Sequence, residues 1–235
     1  MSRHCAAALV TILAVATALG ADPSCSAPAA SAAGVVSDHG LTERFMGVAS
    51  QLYLPAFGTE QLAPLLHSIV RFRRPTQVVE LGFGYTTPFL ARALADNALS
   101  AASERGDPAH PSRQSGVLHQ KWYDEHPSAE RPGLTVIDDQ SQRGGGADPY
   151  AGKVEAVLEE LGLRDLVSLE ASMGHSKAHA LFKPDSLGLV WNDAQWDPEF
   201  LRLWWPLLRR DGGLLLLHNV IGNGERSRWC VASPR

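Results

Sequence analysis

The chain has 235 residues, 45% of them hydrophobic and 20% charged, with a formal net charge of −4. That length suits one α/β domain with additions and can bury a substantial core. The acidic balance without a long basic run argues against nucleic acid as a partner. Three cysteines (Cys5, Cys25, Cys230) lacking metal-type spacing argue against a disulfide framework.

Residues 1–34 are a different material from the rest. Arg3 and His4 precede an apolar run, Cys5 to Leu19, followed by Gly20-Ala21-Asp22 and a Ser/Ala/Pro-rich stretch to Gly34. This is the layout of a secretory signal, with the small residues Ala18 and Gly20 at a cleavable position; the alternative is a disordered Ala-rich extension. Fifteen apolar residues are too few for a stable membrane span. The folded domain is expected over 35–235.

Thr42 to Arg71 reads as two helices broken near Pro55-Ala56-Phe57-Gly58. Thr59 is placed to cap the second, and Leu62, Leu65, Leu66 and Ile69 form its apolar face. Thr76 to Leu81 is the first strand. It ends in Glu80-Leu81-Gly82-Phe83-Gly84-Tyr85-Thr86, and a helix follows from Pro88 to about Asn97.

Strand, glycine turn and helix together form the first unit of a nucleotide-binding sheet, with the ligand over the turn. Glu80 would repel the pyrophosphate of a dinucleotide, and Thr87 stands where that fingerprint has its third glycine. A cationic ligand is attracted instead. S-adenosylmethionine, with its ammonium and sulfonium groups, is the expected cofactor, in preference to a nicotinamide dinucleotide.

Leu99 to Pro132 carries Pro108, Pro111, Pro127 and Pro132 and reads as a polar insertion serving as a lid or a disordered loop. Its piece His119 to His126, with Trp122 and Tyr123, is either substrate-facing or a pinned surface loop. Leu134 to Ile137 is a second strand ending in Asp138-Asp139. Lys153 to Leu161 is a helix stopped by Gly162, and Leu166 to Leu169 a third strand ending near Ala171-Ser172. A short helix, Ser176 to Phe182, precedes a fourth strand, Leu187 to Trp191, which ends in Asn192-Asp193. Pro198 to Arg210 is a helix, and Leu214 to Leu217 a fifth strand ending at His218-Asn219. Alternating strands and helices imply an α/β, Rossmann-like, doubly wound and mainly parallel sheet. Ligands in such sheets bind at the strand ends, where every expected strand here carries a polar residue.

Over most of Thr42 to Gly222 the sequence resembles the class I S-adenosylmethionine-dependent methyltransferases. Glu80 to Gly84 resembles their glycine motif, and Asp138 or Asp139 the acid that holds the ribose hydroxyls. The 54 positions from Gly84 to Asp138 exceed the usual spacing of about 20, an excess that the Leu99–Pro132 insertion explains. By the same resemblance, Tyr85 and Thr86 belong to the cofactor turn, Ala171 and Ser172 fall at the adenine, and Asn192 lies beside the methionine end. Tyr53 is placed to cover the cofactor from the amino-terminal helices.

Trp191 to Gln195 and Gly212 to Val220 are similar to two segments of the catechol-type small-molecule O-methyltransferases. There, two Asp and one Asn bind magnesium or calcium; the counterparts here are Asp193, His218 and Asn219. Replacing a carboxylate by imidazole disfavours a hard cation. Three roles stay open for His218: transition-metal ligand, general base together with Asp193, or hydrogen-bonded strand-end residue.

The resemblance implies methyl transfer to an oxygen or nitrogen nucleophile of a small molecule. The alternatives are elimination or cyclisation of the cofactor's own chain, or a non-catalytic binding protein. Two strands usual in the family after the fifth have no counterpart in Val220 to Arg235, so the open edge would suit a homo-oligomer. A cofactor made in the cytosol places the protein in the cytoplasm, with export through the signal-like start as the alternative.

Overall fold

The computed structural model describes residues 39–55, 59–106, 132–138, 149–171, 174–194 and 198–218. The extension 1–34, the Trp122–Tyr123 piece and the tail after His218 lie outside the described residues. Helices α1 (Glu43–Ala49) and α2 (Leu62–Arg73) precede β1 (Gln77–Leu81) and α3 (Thr87–Gly106). Then come β2 (Gly133–Ile137), α4 (Pro149–Glu160), β3 (Val167–Glu170), α5 (Gly174–Leu181), β4 (Leu189–Asn192), α6 (Pro198–Trp204) and β5 (Leu214–Leu217).

The five strands form one parallel sheet in the order β3-β2-β1-β4-β5. The order reverses at β1, so the carboxyl end of β1 is the switch point where such sheets open a crevice. Register aligns Leu81 with Ile137 and Asn192, Ile137 with Glu170, and Asn192 with Leu217. The residues immediately after them, Gly82, Asp138, Ala171, Asp193 and His218, therefore share one edge of the sheet.

Alternation along the strands divides the core in two. Val78, Leu134, Val136 and Trp191 pack against Phe45, Leu66, Val70, Phe89, Leu94 and Leu158 of α1 to α4. Val79, Leu81, Ile137 and Val190 pack against Ala178, Phe200, Trp204 and Leu207 on the opposite face. Both faces of the sheet are covered, which is why the strands read as apolar runs.

Four local expectations are corrected. The helix after β1 runs to Gly106, well past Asn97, because no breaker intervenes before Pro108 and Ala101 is buried. The buried face of α2 is Ala63, Leu66, His67 and Val70, and Leu65 is 53% exposed. Thr59 meets this helix through its backbone carbonyl, which accepts from the amides of Leu62 and Ala63, rather than as its cap. The last expected helix stops at Trp204 and continues as a 3-10 turn, Trp205–Leu207, since Pro206 has no amide to extend an α-helical ladder.

Candidate active site

Gly82 opens the turn after β1 with φ +105°, a conformation that side chains rarely adopt. Its amide donates to the carbonyl of Ile137 at 3.0 Å, which ties the turn to the end of β2. The next amide, Phe83 N–H, donates to Asp138 Oδ2 at 2.7 Å. The amide of Gly84 donates to Thr87 Oγ1 at 3.1 Å, and Thr87 begins α3. The hydroxyl of the threonine that breaks the dinucleotide fingerprint thus closes the turn.

Glu80 lies beneath this turn and is fully buried. Its Oε1 accepts from the Thr86 hydroxyl, while Oε2 has no partner among the described residues. Burial pushes its carboxyl up to about 8, against the lowering effect of the Thr86 and Thr87 hydroxyls and with further raising by Asp193 and Asp138. The sequence suggests an ionised Glu80; in the fold, burial favours its protonated form.

Asp193 follows β4. Its amide donates to Leu81 O at 2.9 Å, and its Cβ would stand 3.5 Å from a Cβ placed on Gly82. The two strand ends are in contact there. Asp193 Oδ1 is 2.5 Å from His218 Nδ1, and the His218 amide donates to Asn192 O at 3.0 Å. An ionised carboxylate only accepts, so Nδ1 carries the hydrogen and the basic lone pair falls to Nε2. The Trp191 ring lies 5.9 Å from the imidazole, tilted by 31°. Asn192 is buried, its Oδ1 accepting the Ala194 amide at 2.8 Å.

Aromatic side chains flank the turn on its other side. Tyr85 packs at 5.1 Å on Phe89 and at 6.1 Å on Tyr53, ring centre to ring centre. Burial, then Glu60 and Tyr53, raise the Tyr85 phenol above its ordinary range, so it stays neutral. Tyr150, at the start of α4, donates its hydroxyl to Leu52 O at 2.6 Å, and its ring would be 3.8 Å from a Cβ on Gly84.

The structure therefore gathers Glu80, Gly82, Gly84, Tyr85, Thr86, Asp138, Asn192, Asp193 and His218 around one turn, with Tyr53 beside it. Ala171 follows β3, two strands away from β1, exposed, on the order of 10 Å across the sheet. Asp139, Ser172 and Asn219 lie outside the described residues. Tyr150 and the Phe83 amide are additions that sequence reasoning missed. The Pro149-Tyr150 pair after a glycine-rich loop is the only signal the chain offers for the former.

Among the described residues, no group of three or more His, Cys, Asp or Glu side chains is arranged to hold a metal ion. Asp193 and His218 are directed at each other, and the ring lone pair that this leaves, on Nε2, is an imidazole donor that suits a transition metal rather than an oxygen-seeking ion. The pair does not fit a hard cation. Among the described residues, no helix is long and apolar enough to cross a membrane.

No protein-family model and no curated protein match the chain. Solved structures do. The chain is similar to the O-methyltransferase TomG of Streptomyces achromogenes, involved in tomaymycin synthesis and solved with S-adenosylmethionine. Identity is 19% over 82% of this chain and 70% of that one, with a TM-score of 0.50. The methyltransferase PaMTH1 of Podospora anserina, bound to S-adenosylhomocysteine, matches at 13% identity over 77% of this chain and 64% of that one, also at TM-score 0.50. The fold is that of the class I methyltransferases.

Proposed function

We propose that the chain is an S-adenosylmethionine-dependent methyltransferase acting on a hydroxyl group of a small molecule, with His218 as general base and Asp193 as its orienting partner. The observation that carries this reading is the 2.5 Å Asp193–His218 contact at the same sheet edge as the glycine turn. It supports oxygen over nitrogen as the nucleophile, because a neutral hydroxyl gains most from losing its proton to a positioned imidazole.

The residues fit the cofactor. Two acids, Asp138 and Asp193, flank a turn whose glycine lets backbone approach closely, and their combined field attracts a cation, with the Glu80 carboxyl buried beneath. Asp138, at the end of β2, would accept from the ribose hydroxyls, since an ionised carboxylate offers about four acceptor sites. Ala171 is near enough to the β2 end to border the adenine. Ser172 would join it there, and Asp139 is an alternative to Asp138. Tyr53, Tyr85 and Tyr150 form the wall that excludes water. When bound, the cofactor supplies an activated methyl group on a sulfonium, a good leaving group.

What remains for this chain is alignment, exclusion of water and proton removal. His218 Nε2 accepts the acceptor's proton, and the Asp193 carboxylate stabilises the imidazolium that forms. Incubation with S-adenosylmethionine and a panel of phenols, catechols and hydroxy acids tests the reading. Production of S-adenosylhomocysteine that depends on an acceptor supports it. Release of methylthioadenosine, or no turnover of any acceptor despite cofactor binding, overturns it.

A further inference from the structure

The buried carboxyl beneath the turn takes no part in proton transfer to the imidazole. Glu80 sits on β1 with its side chain on the face shared with Val78 and Trp191, wholly out of water. Groups from several elements face it. Thr86 of the turn donates to Oε1, and the Thr87 hydroxyl at the start of α3 also acts on it. Asp138 approaches from the end of β2, and Asp193, itself bonded to His218 of the β5 end, from the end of β4. Both charges that act on it are negative. Oε2 meets no donor among the described residues. A fully buried carboxylate with one oxygen lacking a partner and two acidic neighbours is poorly stabilised even with the Thr86 and Thr87 hydroxyls beside it, whereas a carboxylic acid in the same place is not.

Resting on the methyltransferase reading above, we propose that cofactor binding is coupled to a proton at Glu80: the carboxyl is protonated in the free protein and releases its proton when a positive charge is bound over the Gly82 turn. No direct contact is required. A positive charge on the far side of a single turn acts through a medium of low polarity, where such interactions are several-fold stronger than in water. The proton balance is simple: Glu80 loses one proton to solvent, and the resulting carboxylate faces the ligand's cation. Charge is thus matched only when the right ligand is present. A neutral or anionic nucleotide meets a protonated acid and two carboxylates and gains nothing from Glu80. The shift of the Glu80 carboxyl to about 8 agrees with this, since most of the population is then protonated at pH 7.

The test is titration calorimetry of the full chain with S-adenosylmethionine at pH 7, repeated in buffers of different ionisation enthalpy. The slope of observed heat against buffer enthalpy counts protons. The expected result is release of most of a proton per site by the unmodified protein and none by Glu80→Gln, which binds more weakly. At pH 9.5, where Glu80 is already ionised in the free protein, its release should vanish. Should Glu80→Gln fail to fold, the affinity of the unmodified protein decides: it should rise from pH 6 to about 7.5, below the range in which the cofactor's own ammonium loses its proton. Binding with no proton release and a flat affinity profile overturns the Glu80 proposal while leaving the methyltransferase reading intact. Absence of any binding overturns that reading, and this one with it.

Discussion

Asp193 Oδ1 and His218 Nδ1 are 2.5 Å apart although 25 residues separate them, because β4 and β5 are neighbours and both residues follow the last paired position of their strands. Neither is exposed: the side chains of His218 and Asp193 retain 14% and 23% of their accessible surface. A partly buried carboxylate–imidazole pair fixes the tautomer and leaves one defined basic nitrogen.

Removal of this base should cost rate rather than binding. For His218→Ala, kcat is expected to fall by about 10²- to 10⁴-fold, the usual contribution of a positioned general base. The cofactor affinity should change little. The loss should shrink as pH rises towards the acceptor's own ionisation, because a phenolate needs no base. Steady-state rates against pH for both proteins check this; a loss that stays constant with pH would assign His218 a structural role.

Gly82 holds φ +105° directly against Asp193. Gly82→Ala places a methyl in a backbone region that costs an L-residue roughly 1–2 kcal/mol and sets its Cβ 3.5 Å from that of Asp193. That is ordinary contact, so the strain comes from the backbone. The turn relaxes by moving, and the Phe83 and Gly84 amides move with it. A drop in melting temperature together with at least a tenfold loss of S-adenosylmethionine affinity is expected, measured by thermal shift with and without cofactor. An unaltered affinity would mean that the turn does not carry the ligand.

The architecture was legible because a parallel sheet buried on both faces forces continuous apolar strands, and polar residues then mark their ends. All five strands and the order of helices between them follow from that. The phase of α2 was not legible. His67 is buried because its Nε2 lies 3.3 Å from Asp96 Oδ2 on α3, 29 residues away, and periodicity alone counts histidine as polar. Glu80 shows the same limit. Its position in the motif is visible in the chain, but its protonation follows from burial and from two acids that arrive from other strands.

That protonation has a consequence for stability. Glu80 binds its proton more tightly in the folded state than in the unfolded one, where the ordinary value is 4.5. Between about 4.5 and 8 the unfolded chain is the one that ionises, so this group makes the fold less stable as pH rises through that window and adds no further change above it. The contribution is on the order of a few kcal/mol at its full extent. Glu80→Gln removes the dependence. Denaturant midpoints of the two proteins should therefore diverge from pH 5 to pH 8 in favour of the variant. Parallel profiles would mean that Glu80 is ionised in the fold.

Tyr150 joins α4 to the segment that carries Tyr53, since its hydroxyl donates to Leu52 O at 2.6 Å while its ring borders Gly84. Tyr150→Phe keeps the ring and deletes the donor, leaving a carbonyl on a buried residue without that bond. The expected cost is about 1 kcal/mol of stability. The larger effect should fall on the cofactor: Tyr53 is the residue after Leu52 and packs edge-on against Tyr85, so loosening Leu52 loosens the wall over the turn. A several-fold rise in the KM for S-adenosylmethionine with a nearly constant KM for the acceptor is the expected pattern. If the acceptor KM rises instead, the tyrosine wall belongs to the acceptor pocket, and the cofactor is covered from another side.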